Sequence, residues 1–296
     1  MEQANLQFVL DGLRLSGSRV DGRALLEQRD VSLSFGHAPG LVLASIGSSR
    51  VLVSVSGDLS TPRAERPSEG SLSFHVEASK LLSPDGGMDM VERCAELAYA
   101  LERSWREAEA LEVETLCLVA GKSVWHIRVE VSLLQDSGSL LDCCFLGVAA
   151  ALLHFRLPDS TVIGDSLQVH APGDKLPVPL ALHRIVVSIS FVTEDGLLLV
   201  DPSSAEEEAL GGSIMVCVSA QKNGGARELC GARQMGCLIT SSLMLEATHI
   251  ALEHIALLSN LVFSMVDQDW GRRDEERLRI RSVMPAPITA QIHVQQ

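Results

Sequence analysis

Asp201, Glu206, Glu207 and Glu208 form an acidic group directly after the apolar run Leu197 to Val200. Carboxylates at the end of a strand can bind a metal or serve as general acid and base. The same acids also suit the N-terminus of a helical turn, whose unpaired amides attract negative charge. No histidine stands beside them in sequence, so the solvated acidic turn is the stronger reading. Arg103 and Arg106 lie one turn apart at the end of a helical pattern, the spacing of a phosphate-binding pair. A solvated helix end explains them equally well, because cations are favourable there. No Gly-rich loop has the Walker or dinucleotide spacing, no GxSxG occurs, and the nine histidines show neither HxH nor HExxH. His249 and His254 are five apart and do not share a helix face, and His126 sits between Trp125 and Ile127 in a strand pattern. No metal or cofactor is expected. The seven cysteines contain no CxxC pair; Cys94, Cys117 and Cys217 lie in apolar runs and Cys143 adjoins Cys144. Buried free thiols in a reducing compartment follow.

The elements that must hold these residues belong to a folded globular chain. Its 296 residues are 46% hydrophobic, which is ample for a core. Only 4% are aromatic, which disfavours a module that binds by stacking bases. The net charge is −14, from 24 basic against 38 acidic residues, so the chain lacks the basic balance of a free-standing nucleic-acid binder. Any RNA contact falls to a few local arginines beside a more basic partner. Met1 to Arg14 carries charge and no long apolar run, unlike a signal peptide. Leu243 to Val266 is apolar but interrupted by Glu246, His249, Glu253, His254 and Asn260, which predicts a buried helix and no membrane span.

Periodicity predicts a short helix over Gln3 to Leu13, then strands at Val31–Phe35, Leu41–Ile46 and Val51–Val55, the last two joined by a hairpin at Gly47–Arg50. Asp58 to Gly70 reads as a loop, and Leu72, Phe74 and Val76 as a strand. After a breaker at Pro84–Gly87, Val91, Cys94, Ala98, Leu101 and Trp105 mark a helix. Thr115–Ala120 and Val124–Leu134 are strands, and Leu141–Phe155 is a helix apolar all round, destined for the centre of the fold. His183–Val192, Leu197–Val200 and Ile214–Val218 are further strands. Glu206–Leu210 makes a helical turn, Asn223–Gly225 a turn, and Ser242–Val266 a long helix. Strands followed by a helix, twice over, predict an α+β fold of two similar lobes rather than a doubly wound sheet. From Asp267 the helix pattern fades into a charged tail, flexible or partner-bound, with cations at Arg272, Arg273, Arg277, Arg279 and Arg281.

The ordered motifs Asp21-Gly22-Arg23, Ser34-Phe35-Gly36, Gly47 through Leu52 and Glu69-Gly70 resemble the opening of ribonuclease PH-family proteins. The run from Glu114 to Lys122, followed by Val124-Trp125-His126-Ile127-Arg128-Val129, closely resembles the non-catalytic branch of archaeal and eukaryotic exosome ring subunits. His154 through Asp159, Pro177 through Leu180 and Leu199 through Pro202 continue the likeness, which covers roughly Leu6 to Met265.

The resemblance implies a ribonuclease PH fold over residues 1–269, with lobes at about 1–155 and 156–269 and a tail at 270–296. Active members of the family attack the 3′-terminal RNA linkage with inorganic phosphate, held by a Gly-Thr-Arg-type turn opening the central helix. The matching stretch here is Gly138-Ser139-Leu140-Leu141-Asp142: the arginine is absent and Asp142 would repel phosphate. Of two aspartates in active members, the first position falls at Glu206 or Glu207 and the second at Gly211-Gly212. The resemblance therefore implies no catalytic residue in this chain. It implies instead a structural subunit that supports 3′–5′ RNA degradation and rRNA maturation within a six-membered ring of related subunits. RNA-binding cap subunits, an associated hydrolytic exoribonuclease and single-stranded RNA would be its other partners. The nucleus, nucleolus and cytoplasm are the expected locations. Arg103 and Arg106 match arginines that face the RNA path in the silent branch, and Arg66 is a further candidate. The rival expectation is an active phosphate-dependent 3′–5′ exoribonuclease.

Overall fold

Side chains alternate between buried and open along Val31–Phe35 (β1), Leu41–Ile46 (β2) and Ser49–Ser60 (β3), and this alternation folds them into an antiparallel meander with one apolar face. The computed structural model describes all residues except 1, 14–18, 81, 83–87, 164–165, 171–174, 195, 211, 223–224, 226, 237–238 and 284–296, so the expected breaker at Pro84–Gly87 lies outside the described residues. Ahead of the meander, α1 (Glu2–Asp11) buries Val9 against the second lobe. Ser71–Ala78 (β4), Cys117–Val119 (β5) and Ser123–Gln135 (β6) complete a sheet of order β1-β2-β3-β6-β4, in which β4 lies parallel to β6.

Two sequence expectations in this lobe need correction. Asp58 to Ser60 are strand rather than loop, because Asp58 pairs with His126 and Ser60 with Val124 along the thirteen-residue β6. Val113–Leu116 is a 3-10 turn, closed by the Thr115 hydroxyl on Glu112 O at 2.6 Å, so strand begins only at Cys117.

Met88–Glu107 (α2) and Leu140–His154 (α3) are the helices of the first lobe. α2 buries Cys94, Leu97, Leu101 and Trp105 and leaves its opposite face open. α3 has no polar face and is buried on every side, packed on β2 and β3. Gly147 permits that approach: a Cβ there would come within 2.8 Å of Val53 and 3.2 Å of Ala44.

The second lobe opens with short pairs, Arg156–Leu157 (β7) with Val178–Pro179 (β10), and Ser160–Ile163 (β8) with Ser166–Val169 (β9). Its main sheet holds Ile185–Glu194 (β11), Leu197–Val200 (β12), Gly212–Ala220 (β13) and Arg227–Gly236 (β14), in the order β12-β11-β13-β14. α3 packs on β11 as well, so the helix is wedged between two sheets. Ser204–Ala209 (α4) follows β12 and is closed by a capping box between Ser203 and Glu206. The observed architecture is α+β, with the expected strand-and-helix order in each half.

The final helix, Ser241–Val283 (α5), is 43 residues long and does not fade near Val266. It is long and apolar enough to cross a membrane by length and composition. Its stripe of Ala247, Ala251, Ile255, Leu258, Val262 and Val266 is instead buried in the common core, against β11, β13 and α3.

Beyond Val266 the stripe becomes polar but stays attached. Asp269 is buried and accepts from His154 Nε2 at 3.1 Å and from Arg272 and Arg273, and Arg273 also donates to His37 O at 2.8 Å. His154 Nδ1 accepts the Gly40 N–H at 3.0 Å, which fixes the ring proton on Nε2. Burial and then the nearby Arg273 push the His154 pKa down to about 4, so the ring is neutral. Replacing Asp269 by Ala strands the buried ring N–H and removes the carboxylate that balances the half-buried Arg273. We expect a loss of about 3 kcal/mol in denaturant unfolding, with amide exchange accelerated over 267–283 before the rest of the chain. Uniform acceleration across both lobes would contradict this account of the helix end.

Candidate functional site

The start of α3 is shaped by a left-handed turn. Gly138 has φ 94°, and a Cβ there would lie 2.3 Å from Pro202 O, so both conformation and space require glycine. Ser139 follows at φ 49°, and the first amides of the helix emerge there. A helix N-terminus of this kind attracts anions. In this chain the anion is internal: Glu207 Oε1 accepts the Ser139 N–H at 2.8 Å. Burial raises the Glu207 pKa, while the Ser139 amide works against that rise.

Glu206 and Asp201 are equally committed, while Glu208 is exposed. Arg19, with a fully buried side chain, grips Glu206 through Nε at 2.9 Å and Nη2 at 2.6 Å, and also donates to Val200 O and Asp201 O. Arg29 holds Asp201 at 2.9 and 2.6 Å and donates to Ser137 O and Gly138 O, tying the acidic turn to the opening of α3. Desolvation opposes ionisation of Asp201, yet Arg29 keeps its pKa below the usual value. Asp142 points into the protein, where Oδ1 accepts the Ser188 and Ser190 hydroxyls at 2.5 and 3.0 Å and Oδ2 accepts the Ser190 N–H at 2.7 Å. Burial pushes its pKa up to about 7.

A cavity of about 390 Å³ opens beside Ser139 and Glu207, with Arg93, Glu96, Arg233 and Met235 on its walls. Arg93 is paired with Asp136 at 2.9 Å, and Arg233 has no carboxylate partner among the described residues. Asp142 does not line this space. The expectation that Asp142 faces an incoming phosphate is corrected: Glu207 is the carboxylate at the helix end. Glu206, the alternative acid position, is a buried structural ion pair.

The remaining candidates lie on the surface. Arg103 and Arg106, on the last turns of α2, have side chains 63% and 73% exposed and pair with Glu107, at 2.8 Å, and Glu102 one turn away. Exposed pairs of this type contribute little and exchange readily. Arg66 pairs with Glu69 at 3.0 Å in the loop between β3 and β4, apart from the α2 arginines among the described contacts. His126 is held between the hydroxyls of Ser71 and Ser73 at 2.6 and 3.0 Å, and no acid bonds to it among the described residues. No group of three metal-binding side chains occurs among the described residues. The six described cysteines are free thiols. The roles of Arg19, Arg29 and Glu207 went unseen in the sequence because their partners lie 68 to 187 residues away.

Residues 27–158 match the model of the 3′ exoribonuclease family, domain 1. The chain is 32% identical to human exosome complex component RRP45, covering 87% of this chain but 58% of that protein. It is 31% identical to the Schizosaccharomyces pombe rrp45 component, covering 93% and 94% respectively, and 31% identical to Arabidopsis thaliana RRP45A, covering 92% and 89%. Among solved structures, an archaeal exosome core superposes with a TM-score of 0.72 at 24% identity, over 88% of this chain and 97% of that one. A chain of an Archaeoglobus fulgidus exosome with RNA bound to the active site gives 0.71 at 26%, over 87% and 97%.

Asp142 makes the site's pH dependence testable. Its folded pKa lies above the unfolded carboxylate value, so the stabilisation is full below pH 4 and is lost as pH rises through 7. Asp142→Asn keeps an acceptor without the ionisation. Its urea midpoint should fall less between pH 5 and pH 8 than that of the unaltered chain; identical pH slopes would refute the assignment.

Proposed function

Because this chain belongs to the 3′ exoribonuclease, or ribonuclease PH, family, we propose that it is a non-catalytic subunit of an exosome ring, serving as scaffold and as part of the wall along the RNA path. The observation that carries the silent reading is the Glu207 carboxylate on the Ser139 amide at 2.8 Å, where a phosphate would have to sit. Phosphoryl transfer depends on cationic and amide groups that receive the transferring phosphate. Here the helix end is already occupied by negative charge, and Arg29 is committed to Asp201. Glu206 and Asp201, held in ion pairs, are not placed to donate a proton to a leaving group.

The partners of this reading are other ribonuclease PH-type subunits in a six-membered ring, RNA-binding caps, an associated hydrolytic exoribonuclease and single-stranded RNA. Nucleus, nucleolus and cytoplasm are the proposed locations. Arg103 and Arg106 support an RNA contact through their exposure and easily exchanged partners. The second reading, an active phosphorolytic enzyme, draws on the open cavity with Arg93 and Arg233 on its walls.

One assay separates the two readings. The purified chain, alone and with co-purifying partners, is given single-stranded RNA, phosphate and magnesium. We expect no nucleoside diphosphate from the isolated chain; release that disappears in Glu206→Gln with Glu207→Gln would overturn the silent reading. Arg103→Ala with Arg106→Ala should weaken RNA capture by the assembled ring about three- to tenfold at low salt while leaving assembly intact. Unchanged capture would make these arginines surface charge only.

A further inference from the structure

Arg156 is a half-buried cation held by carbonyls and a ring. Its Nη1 donates to Leu153 O at 2.8 Å and Phe155 O at 2.9 Å, and its guanidinium lies 4.3 Å from the centre of the Trp270 ring. Among the described residues it has no carboxylate within ion-pair distance, although it is half-buried. Burial lowers its pKa, only partly offset by Asp274 and Asp267 at longer range. Arg277 lies 5.6 Å from the same ring, and the Trp270 Nε1–H is buried without an acceptor. Arg273 lies 5.8 Å from this ring as well, but it is bonded to Asp269, and Arg277 pairs with Asp274 at 3.6 Å, so Arg156 is the cation of the cluster that no carboxylate holds.

Charged side chains run from the arginines of α2 towards Asp267, whose charge acts on Arg156 at longer range. Glu107, the partner of Arg103, lines one cleft with Arg184 and Lys222, and Lys222 holds Asp267 at 2.7 Å. We propose that Arg156, stacked on Trp270 and flanked by Arg277, contacts the phosphodiester backbone of single-stranded RNA, as a second RNA contact reached from Arg103 along this rim. The inference rests on the RNA-handling part of the function proposed above. An acidic protein segment fits less well, because two carbonyls already hold Nη1 and reduce the open fork for bidentate carboxylate pairing. A phosphodiester needs a positive charge that no carboxylate already holds, and Arg156, backed by the indole, supplies one.

The test is fluorescence anisotropy of the full chain with a fluorescein-labelled oligouridylate, at low salt and through a salt titration. Arg156→Gln should weaken binding about three- to tenfold and reduce the salt slope by about 0.7, as for one lost single-strand phosphate contact. Arg156→Lys should retain most of the binding. Arg156 also holds carbonyls at the end of α3, so Arg277→Gln, at an exposed position, provides the variant that leaves folding intact; it should weaken binding severalfold. If Arg277→Gln and folded Arg156→Gln bind as the unaltered chain does while Arg103→Ala with Arg106→Ala binds less, this site is overturned and the ring reading stands. Absence of RNA binding by the unaltered chain at low salt overturns this site, whereas the Arg103 and Arg106 contact is decided by capture in the assembled ring. Arg156-dependent capture of polyglutamate with unchanged RNA affinity assigns the surface to an acidic protein segment and overturns the proposal.

Discussion

A helix without a polar face can end only where the protein itself meets its free amides and carbonyls, and α3 is such a helix. Water does not serve its interior, since Cys143 through Leu152 are buried between the two sheets. At one end the Glu207 carboxylate takes the Ser139 amide; at the other, Arg156 donates to Leu153 O and Phe155 O. An anion at the N-terminus and a cation at the C-terminus also match the helix dipole. The rest of the structure is arranged around these two closures. Arg29 ties the acidic turn to the opening of α3, and the His154–Asp269 pair fastens α5 to its end.

These closures restrict chemistry. A carboxylate that caps a buried helix is not simultaneously free to work on a substrate. Glu206 and Asp201 are similarly fixed, because a buried ion pair that loses one partner leaves an uncompensated charge. Such pairs are not strong net sources of stability; they are costly to break singly, which holds the turn in one conformation. Asp142 illustrates why a perturbed pKa alone does not identify a catalyst. Its pKa near 7 would suit proton transfer at neutral pH, but its oxygens are taken by Ser188 and Ser190 and it stands outside the cavity.

The sequence displayed the parts of the fold that repeat locally. β1 to β3 show alternation, α2 shows three- and four-residue spacing, and α3 announces its burial by having no polar side. β14 is nearly absent from such patterns: it is an edge strand, with Leu229 and Met235 exposed, and an edge need not alternate to be satisfied. α5 continues past Val266 because Asp269 and Arg273 take over the buried stripe with polar groups, which hydrophobic periodicity does not register. The candidate site was legible only as an acidic group and a departure from a family motif. That Glu207 rather than Asp142 meets the helix end depends on folding across 68 residues, and no local spacing encodes it.

The distribution of charge decides what sort of RNA contact such a chain can make. Its net charge of −14 opposes a polyanion, and the rim cations have acidic partners: Arg103 with Glu107, Arg106 with Glu102, Arg184 with Glu228, Lys222 with Asp267 and Arg277 with Asp274. A phosphate arriving at any of these must displace an exposed carboxylate, so each contributes less than a cation with no such partner would. Arg156 differs, since carbonyls and an indole occupy it while its charge remains uncompensated at short range. Binding that combines one such cation with several exchangeable pairs is weak in the isolated chain and steeply dependent on salt. It gains strength where a basic neighbour offsets the acidic field, and a ring of unlike subunits supplies that condition better than a free chain does.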